Sequence, residues 1–154
     1  MLCGILQING IPVGKLPGQY YLKDQFETTA ADGSIIIVLA TDAPLSDRNL
    51  TRLAWRGWFG LARTGASFSD GSGDYALAFS SAQAVRRTPS RRNQVYAYPE
   101  LPNDKNSPLF LAAIEAAEQA VYNSLTMASD ITGHHGLTIK ALPLDNLREL
   151  AAKR

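Results

Sequence analysis

The chain has 154 residues, enough for one domain with a buried core. Its formal net charge of +1 argues against a protein built mainly to bind nucleic acid or an anionic membrane. No apolar run reaches the roughly 20 residues that span a bilayer. Cys3 is the only cysteine, which excludes an internal disulfide and a four-cysteine zinc site. The N-terminus lacks the basic start and cleavage site of a signal peptide, so we expect a cytoplasmic protein.

The first third of the sequence predicts a hairpin, a loop and a strand. Residues 5–13 read as a short strand and turn, in which Asn9-Gly10 favours a tight hairpin. Residues 15–31 are polar and mixed, which indicates a loop or linker. Residues 34–41 are apolar on both faces and β-branched, and therefore predict a central strand that is covered on both sides.

A helix is predicted next, with Ser46 as its N-cap and Gly65 as its C-cap. The apolar residues between these two caps fall at helical spacing and form one stripe: Leu50, Leu53, Ala54, Trp58 and Leu61. Residues 66–73 are small and polar. Residues 74–81 then predict a second strand.

The second half of the chain predicts a long loop, a long helix, a strand and a final helix. Residues 83–106 read as an exposed loop, with a short strand at 95–98 as an alternative; its four arginines are better explained by solvation than by RNA or phosphate. The long helix begins at Ser107-Pro108 and frays near Asp130. Its predicted buried face consists of Phe110, Ala113, Ile114, Ala117, Val121 and Leu125. A strand over 137–142 and a helix from Pro143, with Leu144, Leu147 and Leu150 inward, complete an α/β chain of sheet layers covered by helices.

Ser34 is the candidate nucleophile. It follows Asp32-Gly33 at the head of the first buried strand, a place that suits a serine attacking the carbonyl just before it and cutting the chain. A hydroxyl needs a base to remove its proton, and a freed α-amino group with a pKa of about 7.7–8.0 can supply one at neutral pH. The commoner meaning of Gly-Ser before a strand is a simple turn.

Several segments taken together favour the nucleophile over the simple turn at Ser34. Their order and spacing resemble the DmpA-type aminopeptidases, which include L-aminopeptidase D-amidase/D-esterase and the β-aminopeptidases. The resemblance covers nearly the whole chain and rests on residues 8–14, 32–45, 60–65, 71–80, 120–125, 131–133 and 141–147.

The resemblance implies a precursor that cleaves itself before its catalytic serine and a four-layer α/β/β/α sandwich, of which this chain would be an incomplete part. The scissile bond would be Gly33–Ser34, with Ser34 as the nucleophile. Ser72 and Asp74 match the positions that orient its surroundings, although some members carry Glu in place of Asp74. Without the resemblance, Ser72 and Asp74 would be read as a Gly-rich turn into a strand.

The same resemblance implies that a larger N-terminal subunit, carrying an oxyanion-hole asparagine and a tyrosine, belongs before this chain. Residues 1–33 would be the tail of that first subunit and 34–154 the second subunit, together one single-domain fragment. The implied partners are the missing subunit, further copies in a homo-oligomer, and a short peptide, amide or ester substrate, with no cofactor, nucleic acid or membrane. A fragment that lacks strands is also expected to expose apolar edges and to associate.

Two alternatives remain open. The chain could be a catalytically inactive fragment that acts only by pairing with a partner chain. It could also transfer acetyl groups, since ornithine acetyltransferases share the fold, but they use threonine and Ser34 argues against this.

His134-His135 reads as a surface pair rather than a metal or acid–base site, and Trp55 and Trp58 read as packing residues.

Overall fold

The computed structural model of the chain describes residues 6–15, 34–68 and 70–152. Its contacts divide it into two compact units. The described residues of Met1–Ser34, Leu61–Ser72 and Glu118–Arg154 form the first unit, and Ile35–Gly60 with Gly73–Ala117 form the second. The predicted division of the chain into two subunits at residue 33 stays a prediction.

The second unit is built on a parallel pair of strands joined through a helix. Strand β1 is Ile36–Thr41 and strand β2 is Tyr75–Ser80, with a register that runs from Ile36 opposite Tyr75 to Thr41 opposite Ser80. Helix α1, Asp47–Arg63, lies between them in the sequence, as a parallel connection requires. The predicted strands at 34–41 and 74–81 are confirmed, with slightly shorter bounds.

Helix α1 begins and ends at the residues that the sequence indicated. The Asn49 amide donates to the Ser46 hydroxyl at 3.4 Å, a side-chain cap that satisfies one of the free amides of the first turn. Past the last turn, Gly65 has φ of +95°, a left-handed conformation that glycine adopts without a steric penalty, and its amide donates to the Ala62 carbonyl.

The core of the second unit lies on one face of the β1–β2 sheet. Leu45, Leu53, Phe110 and Ala113 are buried there. The partly buried residues packed against them come from the strands, α1 and the segments that flank them: Leu39, Ala43, Leu50, Ala78, Leu101 and Leu109. The inward side chains of β1 and β2, at every second position, therefore supply the floor of this core.

The other face of the same sheet is exposed, so the prediction of a strand covered on both sides is wrong for this chain. Ile36 is 67% exposed and Val38 is 54% exposed, and the outward residues of β2 are Tyr75, Leu77 and Phe79, all exposed. Among the described residues β1 pairs with β2 alone, and nothing in the second unit is packed over these side chains.

Residues 83–105 form the exposed connection that was predicted, but the alternative strand at 95–98 is not formed. A short helix α2, Pro89–Arg92, and 3-10 turns at Gln83–Val85 and Asn103–Lys105 take its place. The Arg91 guanidinium donates to the carbonyls of Gln83, Ala84 and Arg86, and lies 4.9 Å from the centroid of the Tyr96 ring. These local contacts hold the segment without strand pairing.

The long helix α3 spans Asn106–Thr126 and so begins one residue before the predicted start at Ser107. The 3-10 turn at Asn103–Lys105 runs directly into it, which leaves no separate capping position at Ser107. Of the predicted buried face, Phe110, Ala113 and Ala117 are buried and Ile114, Val121 and Leu125 are partly buried. Tyr122, which the pattern did not select, is buried as well.

The first unit contains the predicted hairpin near the N-terminus and two short elements near the C-terminus. Ile8 and Ile11 pair around Asn9 and Gly10, whose φ values of +49° and +75° are those of a tight hairpin turn. Strands β3, Ile131–Thr132, and β4, Thr138–Ile139, form an antiparallel pair, shorter than the predicted strand over 137–142. Helix α4, Leu144–Ala152, follows as predicted, and its three leucines are partly buried. No described helix combines the length and apolar character needed to cross a membrane.

Candidate active site

The parallel pairing of β1 and β2 brings the residues that precede both strands to the same edge of the sheet, because parallel strands start at the same end. The pairing continues one step beyond the strands themselves. The Tyr75 amide donates to the Ile35 carbonyl at 2.9 Å. Ile35 and Asp74 are therefore neighbours in space although 39 positions separate them in the sequence.

Asp74 makes the contact that defines this edge. Its carboxylate Oδ1 accepts a hydrogen bond from the Ile35 amide at 3.1 Å. That amide belongs to the peptide bond between Ser34 and Ile35, so the carboxylate holds the main chain at the residue directly after Ser34. A carboxylate bound to a backbone N–H makes a stronger hydrogen bond than a neutral acceptor does. Asp74 is thereby a positioning group for the start of β1.

The other predicted site residues lie beside these two along the chain. Ser34 is exposed, directly before Ile35, and Ser72 is partly buried, two residues before Asp74. Gly33, the other half of the predicted cleavage site, lies outside the described residues. The catalytic roles of Ser34, Ser72 and Asp74 stay predictions at this point. What the structure contributes is the Asp74–Ile35 contact, directly before strand β1 and directly after Ser34.

The far end of the strand pair is also held by side chains. The Ser80 hydroxyl donates to the Ala43 carbonyl at 2.6 Å, and the Ala43 amide donates to the Thr41 hydroxyl at 3.1 Å. The Ser81 amide donates to the Thr41 carbonyl at 2.7 Å. With Asp74 at one end and these bonds at the other, the register of β1 against β2 is pinned at both ends.

Gly57 is a positioning residue that the sequence analysis did not single out. A Cβ atom at this position of α1 would lie 2.8 Å from Cγ2 of Ile37, which is closer than real side-chain contacts allow. Glycine therefore lets the helix pack directly against β1, the strand that begins two residues after Ser34. The available signal was an isolated glycine inside an otherwise helical pattern, which often has a packing reason.

The histidine pair shows no arrangement typical of a metal site. The rings of His134 and His135 lie 3.7 Å apart between centroids, in a turn where His135 has φ of +60°. Across the described ranges, no three or more His, Cys, Asp and Glu side chains are grouped so as to hold a metal ion.

Comparison with known proteins gives this geometry its context. The model of Peptidase family S58 matches residues 3–139. The chain is 41% identical over 158 residues to the β-peptidyl aminopeptidase BapA of Sphingosinicella microcystinivorans, and 30% identical over 161 residues to that of Sphingosinicella xenopeptidilytica. Each alignment covers at least 96% of this chain but 39% of the relative, so the chain spans about two fifths of their length.

Solved structures agree with the sequence comparison. The PH0078 protein of Pyrococcus horikoshii OT3 superposes with a TM-score of 0.79 at 39% identity. The L-aminopeptidase D-Ala-esterase/amidase of Ochrobactrum anthropi, described as a variant of the Ntn hydrolase fold, superposes with a TM-score of 0.78 at 31% identity. Both matches cover 97% of this chain and about two fifths of the other. The predicted fold class is confirmed, since the mixed α/β elements form part of this Ntn hydrolase fold, and the chain belongs to Peptidase family S58.

Proposed function

We propose that the chain is the nucleophile-bearing part of an S58 aminopeptidase. It is cut between Gly33 and Ser34, and Ser34 then removes the N-terminal residue from short peptides, amides or esters. The observation that carries the proposal is the Asp74 carboxylate on the amide that follows Ser34, 3.1 Å from the Ile35 nitrogen. The family match across residues 3–139 and the aminopeptidase relatives support the same activity.

The proposed reaction follows from what these groups can do. The Ser34 hydroxyl attacks the carbonyl carbon of the first residue of the substrate, and its proton passes to the α-amino group that the cut has freed. The substrate C–N bond then breaks, and the leaving amine takes up that proton. An ester of Ser34 remains, and water hydrolyses it to release the amino acid.

Asp74 and Ser72 are proposed as supporting groups in this scheme. The hydrogen bond from Ile35 fixes the backbone next to the nucleophile, and the negative charge of a carboxylate stabilises the ammonium that forms when the α-amino group acts as base. The Ser72 hydroxyl, two residues away in the same Gly-rich segment, is proposed to hydrogen-bond near the nucleophile.

The remaining part of the family chain is proposed to supply the oxyanion donor and much of the substrate pocket. Removing one oxyanion donor costs about 10²–10³ in rate, so we expect little activity from these 154 residues alone. A second candidate, a fragment that acts only by binding a partner chain, is favoured by the exposed apolar side chains on the outer face of the β1–β2 sheet.

Processing of Ser34 tests the proposal directly. The chain is co-expressed with the N-terminal portion of an S58 relative, and the product is analysed by intact mass and N-terminal sequencing. We expect a new N-terminus that reads Ser34-Ile35-Ile36-Ile37. Ser34→Ala should remain uncut. Ser129→Ala, which alters another exposed serine, should be cut like the parent chain.

Hydrolysis of an amino-acid anilide by the same complex separates the two candidates. The aminopeptidase proposal expects release of the amine, a loss of at least about 10³-fold in kcat/KM with Ser34→Ala, and parent-like release with Ser129→Ala. An uncut parent chain in a folded complex, or full hydrolysis by Ser34→Ala, would contradict it. A complex that forms but neither cuts nor hydrolyses would support the binding fragment instead.

A further inference from the structure

Three arginines recur at every fourth position along helix α1: Arg48, Arg52 and Arg56. Like charges at this spacing are neighbours on the helix surface and repel one another. Within the described part of the chain, none of the three lies at ion-pair distance from a carboxylate, whereas Arg63 in the last turn of the same helix pairs with Glu118 at 3.1 Å. The first three turns of α1 therefore hold three cations without a paired anion.

Two of these guanidinium groups are held against one aromatic ring. The Cζ atoms of Arg52 and Arg56 lie 4.9 and 4.1 Å from the ring centroid of Phe110, and Arg56 also donates to the Arg52 carbonyl at 3.1 Å. Burial, followed by the charge of Arg52, lowers the pKa of Arg56. A guanidinium group held against a ring keeps its N–H donors at its edge, so both groups are oriented before any ligand arrives.

Three donors converge on one oxygen of the turn at Asn103–Lys105. Asn103 Oδ1 accepts hydrogen bonds from Arg52 Nη1 at 3.1 Å, and from Arg48 Nη1 and Asn49 Nδ2 at 3.4 Å each. An amide oxygen has two lone pairs and no net charge, so it satisfies three donors poorly when two of them are cationic. An anionic oxygen at the same place would be the better acceptor.

Asn49 gives this group of donors a fixed, buried member. It is 1% exposed, its Oδ1 accepts from Arg52 at 2.8 Å, and its Nδ2 also donates to Glu100 Oε1 at 2.6 Å. A cation on one side of the amide and a carboxylate on the other set its orientation, so Nδ2 is held as a donor. Asp104, the acid beside Asn103, pairs with Lys105 at 3.6 Å.

The charges and the unused donors indicate the kind of ligand. Arg48, Arg52 and Arg56 each bond the described residues through Nη1 alone, which leaves Nη2 and Nε of each group for a ligand. Three cations against the one carboxylate of Glu100 leave an excess of positive charge that a dianion balances. A phosphate group carries nearly two negative charges at neutral pH and accepts paired hydrogen bonds from guanidinium edges.

We propose that Arg48, Asn49 and Arg52 form a phosphate-binding site on helix α1. In the bound state a phosphate oxygen takes the place of Asn103 Oδ1, and Arg56 contributes its charge from the next turn. The inference goes beyond the proposed function, because it requires neither cleavage of the chain nor hydrolysis of a peptide. Inorganic phosphate and a phosphate ester share this chemistry, and the test uses both.

A titration followed by heteronuclear NMR tests the site in the intact, isotope-labelled chain. Sodium phosphate or methyl phosphate is added near neutral pH, with sodium chloride keeping the ionic strength constant. We expect saturable shifts in the signals of residues 46–56 and 100–105, with a millimolar Kd. Binding of the ester as well would show that the site accepts a phosphorylated molecule, and binding of inorganic phosphate alone would show a site for the free ion. Shifts that do not saturate, or that sodium chloride reproduces, would overturn the inference.

Arginine variants locate the site. Arg52→Gln removes a charged donor and should weaken phosphate binding at least about tenfold. Because this variant also loses the contact with Phe110 and could fail to fold, Arg48→Gln, at an exposed residue, is the second test and should weaken binding about threefold. Arg148→Gln, at an exposed arginine of α4, should bind phosphate like the parent chain. An unchanged Kd for Arg48→Gln would contradict the proposed site.

Two further variants separate a ligand site from a purely structural network. Glu100→Gln keeps an acceptor for Asn49 but removes the opposing charge, so phosphate should bind about threefold more tightly. Asn103→Asp supplies an anionic oxygen from the chain itself, so it should raise the melting temperature and abolish phosphate binding. Glu149→Gln and Asn146→Asp, at exposed positions of α4, should change neither quantity. Undiminished binding by Asn103→Asp, or equal or weaker binding by Glu100→Gln, would overturn the inference.

Discussion

The two faces of the β1–β2 sheet have nearly the same chemistry and opposite environments. The inward residues include Leu39 and Ala78, which pack against the core around Phe110. The outward residues include Val38 and Leu77, which face each other across the two strands and are both about half exposed. One set is the floor of a packed core, and the other is an apolar surface.

The composition of β1 predicts a packing layer on each face of the sheet, whereas the described residues supply a layer on one face. A strand that is apolar on both faces is typical of a sheet with a layer on each side. The described part of the chain supplies a helical layer to one side only, and the chain spans about two fifths of its relatives' length. The apolar residues on both faces of β1 thus suit the longer family fold better than the one-sided packing of these 154 residues.

The largest contrast is expected between two phenylalanines. Phe110 is 8% exposed at the centre of the core, and the guanidinium groups of Arg52 and Arg56 lie 4.9 and 4.1 Å from its ring centroid. Phe110→Ala should lower the free energy of unfolding by about 3–5 kcal/mol, because it leaves a cavity and removes these contacts. Urea denaturation followed by circular dichroism measures the change.

Phe79→Ala is the matched control on the outward face. Phe79 is 46% exposed, so its truncation should cost less than about 1 kcal/mol. Equal losses for the two variants would mean that the outward face is buried in solution, and the contrast between the faces would fail.

The next largest change in the free energy of unfolding is expected for Gly57→Ala, and whether the variant is stabilised or destabilised tests the packing of α1 on β1. Alanine is worth about 1 kcal/mol more than glycine inside a helix, so Gly57→Ala would ordinarily stabilise. The added Cβ would lie 2.8 Å from Ile37 Cγ2, on a β-branched side chain that moves little. We expect a net loss of about 1–2 kcal/mol from overpacking, measured by urea denaturation.

Two companions make the Gly57 measurement specific. Ala112→Gly, at an exposed position of α3, measures the helix propensity alone and should cost about 1 kcal/mol. Combined with Ile37→Ala, Gly57→Ala should lose most of its penalty, which gives a favourable coupling energy in a double-mutant cycle. A stabilising Gly57→Ala would show that α1 is not packed this closely on β1.

The elements that the sequence predicted well are those with local signals. The apolar stripe of α1 is bounded by Ser46 and Gly65, and both residues cap the helix as their chemistry requires. The Asn9-Gly10 turn likewise needs only its own two residues. Residues 95–98 have the β-branched and aromatic composition of a strand, but a strand needs a partner. The connection that contains them is held instead by Arg91, which donates to the carbonyls of Gln83 and Arg86. Tertiary context decided that case.

The residues of the candidate site could be identified from the sequence, but their spatial arrangement could not. Ser34, Ser72 and Asp74 were selected as residues, but no periodicity in the sequence sets the parallel register that puts Asp74 beside Ile35. That register depends on the crossover through α1 and on the bonds at both strand ends. Tyr122 was overlooked because its burial comes from contacts with Glu118 and the hairpin, which no helical pattern encodes.

The smallest change in stability is expected on the outward face, and there it sharpens the comparison most. Val38 and Leu77 are paired in the register, and threonine at both positions supplies a β-branched side chain that suits a strand while removing apolar surface. The free energy of unfolding should change by less than about 1 kcal/mol, whereas Leu39→Thr on the inward face should cost about 2 kcal/mol or more.

Sedimentation velocity should show self-association of the parent chain that the double variant reduces, because exposed apolar patches drive such contacts. A parent chain that stays monomeric at every concentration would mean that this surface does not associate with itself. A double variant as unstable as Leu39→Thr would mean that it is covered already.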